Sequence, residues 1–104
     1  MASYRVDISE PAEEDLRGIV RYISSQLLAP ITAIQMVETI EEQLSKLSDM
    51  PGRYPVVRDD RLASMGYRRL DIKNYTAFFT VNEKEKVVDV ERILYARRDW
   101  ASLL

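Results

Sequence analysis

The hydrophobic pattern of this chain changes period once, and that single change limits what the chain can fold into. From Ala12 to Leu47 apolar residues recur every three or four positions, the spacing of a helix face. From Tyr67 to Tyr95 they recur at alternate positions, the spacing of a strand with two distinct faces. Helices gathered in one stretch and strands in the next predict a segregated α+β layer, since a parallel sheet needs helix and strand to alternate.

Each segment has its own local reasons. Tyr4, Val6 and Ile8 alternate with Arg5 and Asp7 and predict a short first strand over 4–8. Ser9 then offers a capping hydroxyl, Pro11 suits a first helical turn, and Glu13, Glu14 and Asp15 favour the positive end of the helix that follows. Its apolar stripe is Ala12, Leu16, Ile19, Val20, Ile23 and Leu27, with Glu13, Glu14, Arg17 and Arg21 facing water. Pro30 interrupts the run and opens a second helix with the stripe Ala33, Ile34, Val37, Ile40, Leu44 and Leu47, so the two form a helical hairpin. Met50-Pro51-Gly52 ends it, and residues 51–65, with Arg53, Arg58 and Arg61, read as an exposed basic loop.

Three strands complete the chain, over 67–72, 75–81 and 87–95, with turns at Lys73-Asn74 and at 82–86. In the middle one, Tyr75, Ala77, Phe79 and Val81 face one way and Thr76, Phe78 and Thr80 the other, so both faces of the sheet are expected to be covered in part. The expected order is β-α-α-β-β-β: a short N-terminal strand, a helical hairpin and a three-stranded antiparallel meander, in one domain over residues 1–104. Arg92 shares its phase with Val88 and Val90, which demands an ion pair, with Asp71 or Glu91 as candidates, or a bulge in the strand.

Composition removes several kinds of chemistry. The 104 residues include no histidine and no cysteine, which excludes Ser-His and Cys-His hydrolases and most metalloenzymes; no metal and no cofactor is expected. No apolar run approaches the roughly 20 residues of a membrane helix, and the opening Met-Ala-Ser-Tyr-Arg leads straight into alternation rather than an apolar signal core, so a cytoplasmic protein is expected. The net charge of −2 divides unevenly. Residues 1–52 hold 4 basic and 9 acidic side chains, whereas residues 53–104 hold 11 and 8, so a modestly basic half could meet phosphates or an acidic peptide.

Several segments carry a resemblance in their order and spacing: Tyr4-Arg5-Val6, the Ala-Glu-Glu-Asp-Leu run over 12–16, Leu47 followed by Pro51-Gly52, Tyr67-Arg68-Arg69-Leu70, the strand over 75–81, and the run from Ile93 to Trp100. Over nearly its whole length the chain resembles the RelE/ParE group of bacterial toxins. The resemblance implies the growth-inhibiting toxin of a type II toxin-antitoxin pair, of the kind linked to plasmid stabilization, in a heteromeric complex with a cognate antitoxin protein. RelE-like members cut messenger RNA on the ribosome, whereas ParE-like members poison DNA gyrase. A protein of the same fold that binds a regulator without toxicity is the third reading.

The nuclease reading can be weighed on residues. RNA cleavage by a 2′-hydroxyl needs a proton relay and cations on the crowded phosphate. RelE-like enzymes carry basic residues on the first meander strand, an arginine early in the next, another after the last strand, and often a C-terminal tyrosine. By that resemblance the catalytic candidates are Arg68, Arg69 and Arg98. Tyr75 stands where the second-strand arginine belongs, and the segment after Arg98 has Trp100 but no tyrosine, which favours the ParE-like reading. Arg97, Arg98 and Trp100, after the last strand, are then the candidate target contacts. Leu16, Ile19, Ile23, Val37 and Ile40, on the helix stripes, are the candidate antitoxin contacts, as any excess apolar width there suits a partner helix.

Overall fold

A computed structural model describes residues 3–104 of the chain; Met1 and Ala2, the start of the opening segment read above, lie outside the described residues. Strand β1 (Arg5–Ile8) leads into helix α1 (Glu10–Arg21), where the Ser9 hydroxyl accepts the Ala12 N–H at 3.1 Å and donates to the Glu91 carbonyl at 2.8 Å. One side chain thus caps the helix and fastens its start to the last strand. Past Arg21 the helix widens into a π turn over Tyr22–Gln26, Leu28 takes a left-handed conformation at φ 51°, and Pro30 opens α2 (Pro30–Ser45). The hairpin is therefore present, with its corner made by the π turn as well as by the proline.

Strands β2 (Arg68–Ile72), β3 (Tyr75–Asn82) and β4 (Val87–Tyr95) form the antiparallel meander. Strand β1 joins it in parallel beside β4, giving the order β1-β4-β3-β2. Ala12, Ile19, Ile23, Ala33, Ile40, Leu44 and Leu47 of the helical segment pack on Leu70, Ile72, Ala77, Phe79, Val88, Val90 and Ile93 of the sheet. Phe78 and Leu94 lie on the opposite face in a second cluster with Val57 and Leu62, against which Trp100, Leu103 and Leu104 fold back. Alternation placed the two phenylalanines of β3 on opposite faces, and both faces are indeed covered.

Two expectations are corrected. Residues 51–65 are no simple exposed loop: they hold a 3-10 turn at Pro51–Arg53 and a short helix α3 (Asp60–Ser64), with Val57 and Leu62 buried. Their apolar residues are too few and too irregularly spaced to show a period, yet they cover the second face of the sheet. The partner of Arg92 is neither Asp71 nor Glu91 but Asp15 of α1, which receives Arg92 Nε at 2.8 Å and Nη2 at 3.0 Å. Strand β4 also bulges there, since Phe78 pairs with Arg92 and Phe79 with Val90, leaving Glu91 as the extra residue. The bulge resets the alternation, so Val90 and Ile93 both face the helices and Arg92 turns to the edge.

Candidate functional site

The three arginines proposed for catalysis are not assembled. Arg68 and Arg69 are neighbours on β2 and fall on opposite faces, as the pleat requires. Arg68 donates from Nη1 to the Tyr54 carbonyl at 2.6 Å, tying the 51–57 segment to the strand. Arg53 stacks on Tyr54 at 5.2 Å, and the Tyr54 ring meets Phe79 edge-on, so this corner is built as packing. Arg69 sits 3.7 Å from Asp71, whose other oxygen accepts the Thr76 hydroxyl at 3.0 Å. Arg98 lies beyond Tyr95, which pairs with Tyr75 next to Ile72, the far end of β2. Four residues of strand, roughly 13 Å, separate that end from Arg68.

Arg98 instead borders an open groove of about 670 Å³ between the flank of α1 and the last residues of β4. The groove exists because β1 pairs with β4 only as far as Ile8 opposite Val90, while β4 runs on to Tyr95. Gly18 and Tyr22 line one wall; Ile93, Tyr75 and Tyr95 line the other, and Arg21 and Arg98 stand at the rim. Tyr75 meets Tyr95 edge-on at 6.0 Å. Burial first, and then the nearby Tyr22 and Tyr95 hydroxyls, push the Tyr75 hydroxyl above the ordinary phenol range. It stays protonated at neutral pH and can donate a hydrogen bond but cannot serve there as a base. Arg97 and Arg98 are both exposed, and neither has a carboxylate within salt-bridge distance among the described residues. Trp100, the remaining proposed target contact, is half-buried with its ring 5.0 Å from Phe78.

The helical residues expected to meet an antitoxin divide by burial. Ile19, Ile23 and Ile40 face the sheet and are buried, because the stripe is only as wide as the core it covers. Leu16 and Val37 are half-buried, and Leu16 lines a smaller depression of about 480 Å³ floored by Val6, Ile8 and Leu44. The large apolar side chains that do meet solvent on the hairpin are Tyr22, Leu27, Leu28, Ile31 and Ile34. Leu27 and Ile34 had been read into the stripes; the π turn rotates the first out of phase, and Ile34 lies at the margin of the second. Among the described residues no cluster of three or more His, Cys, Asp or Glu could hold a metal, and no helix is long and apolar enough to cross a membrane.

The outer face of α1 carries a charge network open to solvent. Glu14 receives Arg17 Nε and Arg21 Nη2, each at 3.0 Å. The Arg21 hydrogen bond first, and then that of Arg17, hold the Glu14 carboxyl below its ordinary range. A lowered folded-state value means that its small contribution to stability is present above the ordinary carboxylate value and is lost as pH falls through the folded one. In a carbon-detected NMR titration, Arg21→Ala is expected to move the Glu14 midpoint upward; an unmoved midpoint would show that the pair is not formed in solution.

A strand, a helical hairpin and a three-stranded meander, with cations dispersed around the sheet, define a small α+β protein. The model of the ParE toxin of the type II toxin-antitoxin system parDE matches residues 6–100, and the chain belongs to this family of type II toxins. A chain of the chromosomal ParDE TA system from P. aeruginosa is similar at 21% identity and a TM-score of 0.77, over 93% of this chain and 100% of that one. A chain of the RelBE2 toxin-antitoxin complex from Mycobacterium tuberculosis is similar at 18% identity and a TM-score of 0.61, over 89% and 98%. One from the archaeal RelE-RelB complex of Pyrococcus horikoshii stands at 16% and 0.59, over 92% and 98%. At such identities the likeness is one of fold. No curated protein matches the chain.

Proposed function

We propose that this toxin inhibits growth by binding DNA gyrase through protein contact, and that a cognate antitoxin holds it silent until released. The observation that carries the reading is the dispersal of its arginines. Stabilising a cleaving phosphate needs preorganised cations converging on one point. Here Arg68 is bound to a backbone carbonyl, Arg69 lies on the other face beside a carboxylate, and Arg98 stands at the far end of the strands. Membership of the ParE family supports the same target, and the toxin-antitoxin complexes among its structural relatives support the antitoxin.

The exposed Arg97 and Arg98, on the turn after β4, are the target contacts in this reading, with Trp100 fixing that turn by packing on Phe78. Induced in bacteria, the wild-type chain is expected to stop growth and raise the DNA-damage response. Combined Arg97→Ala and Arg98→Ala substitution is expected to weaken that effect at least tenfold in the inducer needed, at unchanged protein level. Messenger RNA cut at ribosome-positioned sites would instead support the nuclease reading, and unimpaired growth a non-toxic binding module.

A further inference from the structure

The groove between α1 and β4 has the main-chain pattern of an unfinished sheet. Beyond Val90, strand β4 has no strand on its outer side, and the chain supplies substitutes one at a time. Ser9 N–H donates to the Val90 carbonyl at 3.0 Å, its hydroxyl to the Glu91 carbonyl, and the Ile93 N–H goes to Asp15 Oδ2 at 2.9 Å. Because the Ile93 N–H points away from β3, Ile93 and Tyr95 occupy the positions of the β3–β4 ladder whose main-chain groups face outward. The Tyr95 carbonyl accepts the Arg98 N–H at 3.0 Å in the closing turn. That leaves the Ile93 carbonyl and the Tyr95 N–H facing the groove.

A carbonyl and an N–H two residues apart on one edge are what a single residue of a parallel strand bonds, donating to the first and accepting from the second. Strand β1 already runs parallel to β4, so an incoming strand would continue the track that β1 leaves when the chain turns into α1. The facing wall has room for a backbone because its middle residue is Gly18, which has no side chain. A Cβ placed there meets only the end of Arg21, at 3.8 Å, so the space beyond is open. Side chains flanking the bonded residue would project toward Ile19, Tyr22, Tyr75 and Tyr95, which suits apolar groups, and Arg98 beyond Tyr95 leaves a guanidinium for a carboxylate further along.

We propose that the groove takes an extended segment of the antitoxin as a parallel strand on the free edge of β4, with apolar residues first and an acidic residue following, at Arg98. The proposal rests on the antitoxin reading above and specifies its site, direction and chemistry. Strand addition of this kind draws affinity from the main chain and selectivity from alternate side chains. The unsatisfied edge that the segment covers is also the sort of edge that invites unwanted pairing when left open.

The probe is the protein encoded by the reading frame adjacent to the toxin gene, co-expressed and purified with the full-length chain. Gly18→Ala is expected to bind it as the wild type does, whereas Gly18→Met, whose unbranched side chain favours helix but fills the groove, is expected to bind at least thirtyfold more weakly. Thermal melts of both variants check that they fold. In hydrogen exchange, the Tyr95 amide is expected to be rapidly exchanging in the free toxin and protected in the complex. A wild-type complex that Gly18→Met leaves intact, or in which Tyr95 stays unprotected, overturns the groove while leaving the antitoxin reading in place. If the wild-type chain binds no such protein, the antitoxin reading falls and this proposal with it.

Discussion

Asp15→Ala is expected to destabilise the fold by about 2–4 kcal/mol, more than any other single change on its helix outside the core. The Asp15 carboxylate receives three hydrogen bonds, two from Arg92 and one from the Ile93 main chain, and the side chains are only 14% and 25% exposed for Asp15 and Arg92. Truncation leaves a partly buried guanidinium with the Leu103 carbonyl, at 3.2 Å, as its remaining partner, and leaves the Ile93 N–H without an acceptor. The partial exposure keeps the cost below that of a fully buried pair. Asp15→Asn keeps an acceptor for the N–H and is expected to cost about half as much. Urea unfolding measures both; a loss under about 0.5 kcal/mol for Asp15→Ala would show that the pair is no more than a surface contact.

Phe78→Ala is expected to cost about 3–5 kcal/mol, the largest effect of any substitution considered. Phe78 is fully buried and is the centre of the second cluster, touching the Val57 and Leu62 segment on one side and Trp100 of the C-terminal turn on the other. Removing the ring leaves a cavity that neighbours held by separate segments cannot all close. The cost should come with a local signature. Trp100 fluorescence is expected to shift to the red under native conditions, because the tail loses the surface it packs on. Stability within about 1 kcal/mol of wild type would mean that the C-terminal tail and α3 are not part of the folded core.

Both substitutions bear on what the amino-acid sequence made legible. Periodicity located the hairpin and the meander because Ile19 and Ile40 recur with their neighbours at helical spacing while Phe79 and Val90 sit in alternating runs, and β4 runs over the 87–95 that its pattern marked. Arg92 signalled a conflict through its phase, and the fold resolves it with both a bulge and an ion pair. Its partner lay out of reach of that reasoning: Asp15 is 77 positions away, and a local pattern carries no information about which helix turn crosses a strand. The parallel pairing of β1 is hidden for the same reason, since Arg5 to Ile8 alternates identically whichever neighbour it has.

The candidate site was less legible than the fold. A stripe of apolar residues marks burial, so Ile19, Ile23 and Ile40 were more readily seen than the exposed Leu28 and Ile31. Arg68 and Arg69 fall on opposite faces as any two adjacent strand residues do, but their distance from Arg98 depends on strand register, which the sequence does not display. Gly18 drew no attention as one glycine in a helix. Its meaning depends on the β4 edge opposite, which exists only once β1 has stopped short.

The claim that this toxin acts on gyrase by contact rather than as a nuclease is tested most directly with purified components. Gyrase supercoiling of relaxed plasmid, with DNA cleavage scored in the same reaction, is measured against purified toxin beside a translating ribosome programmed with a defined messenger. Inhibited supercoiling and trapped gyrase-DNA breaks are expected, both reduced at least tenfold by combined Arg97→Ala and Arg98→Ala, with the messenger left whole. Unaffected gyrase together with a messenger cut on the ribosome would contradict it.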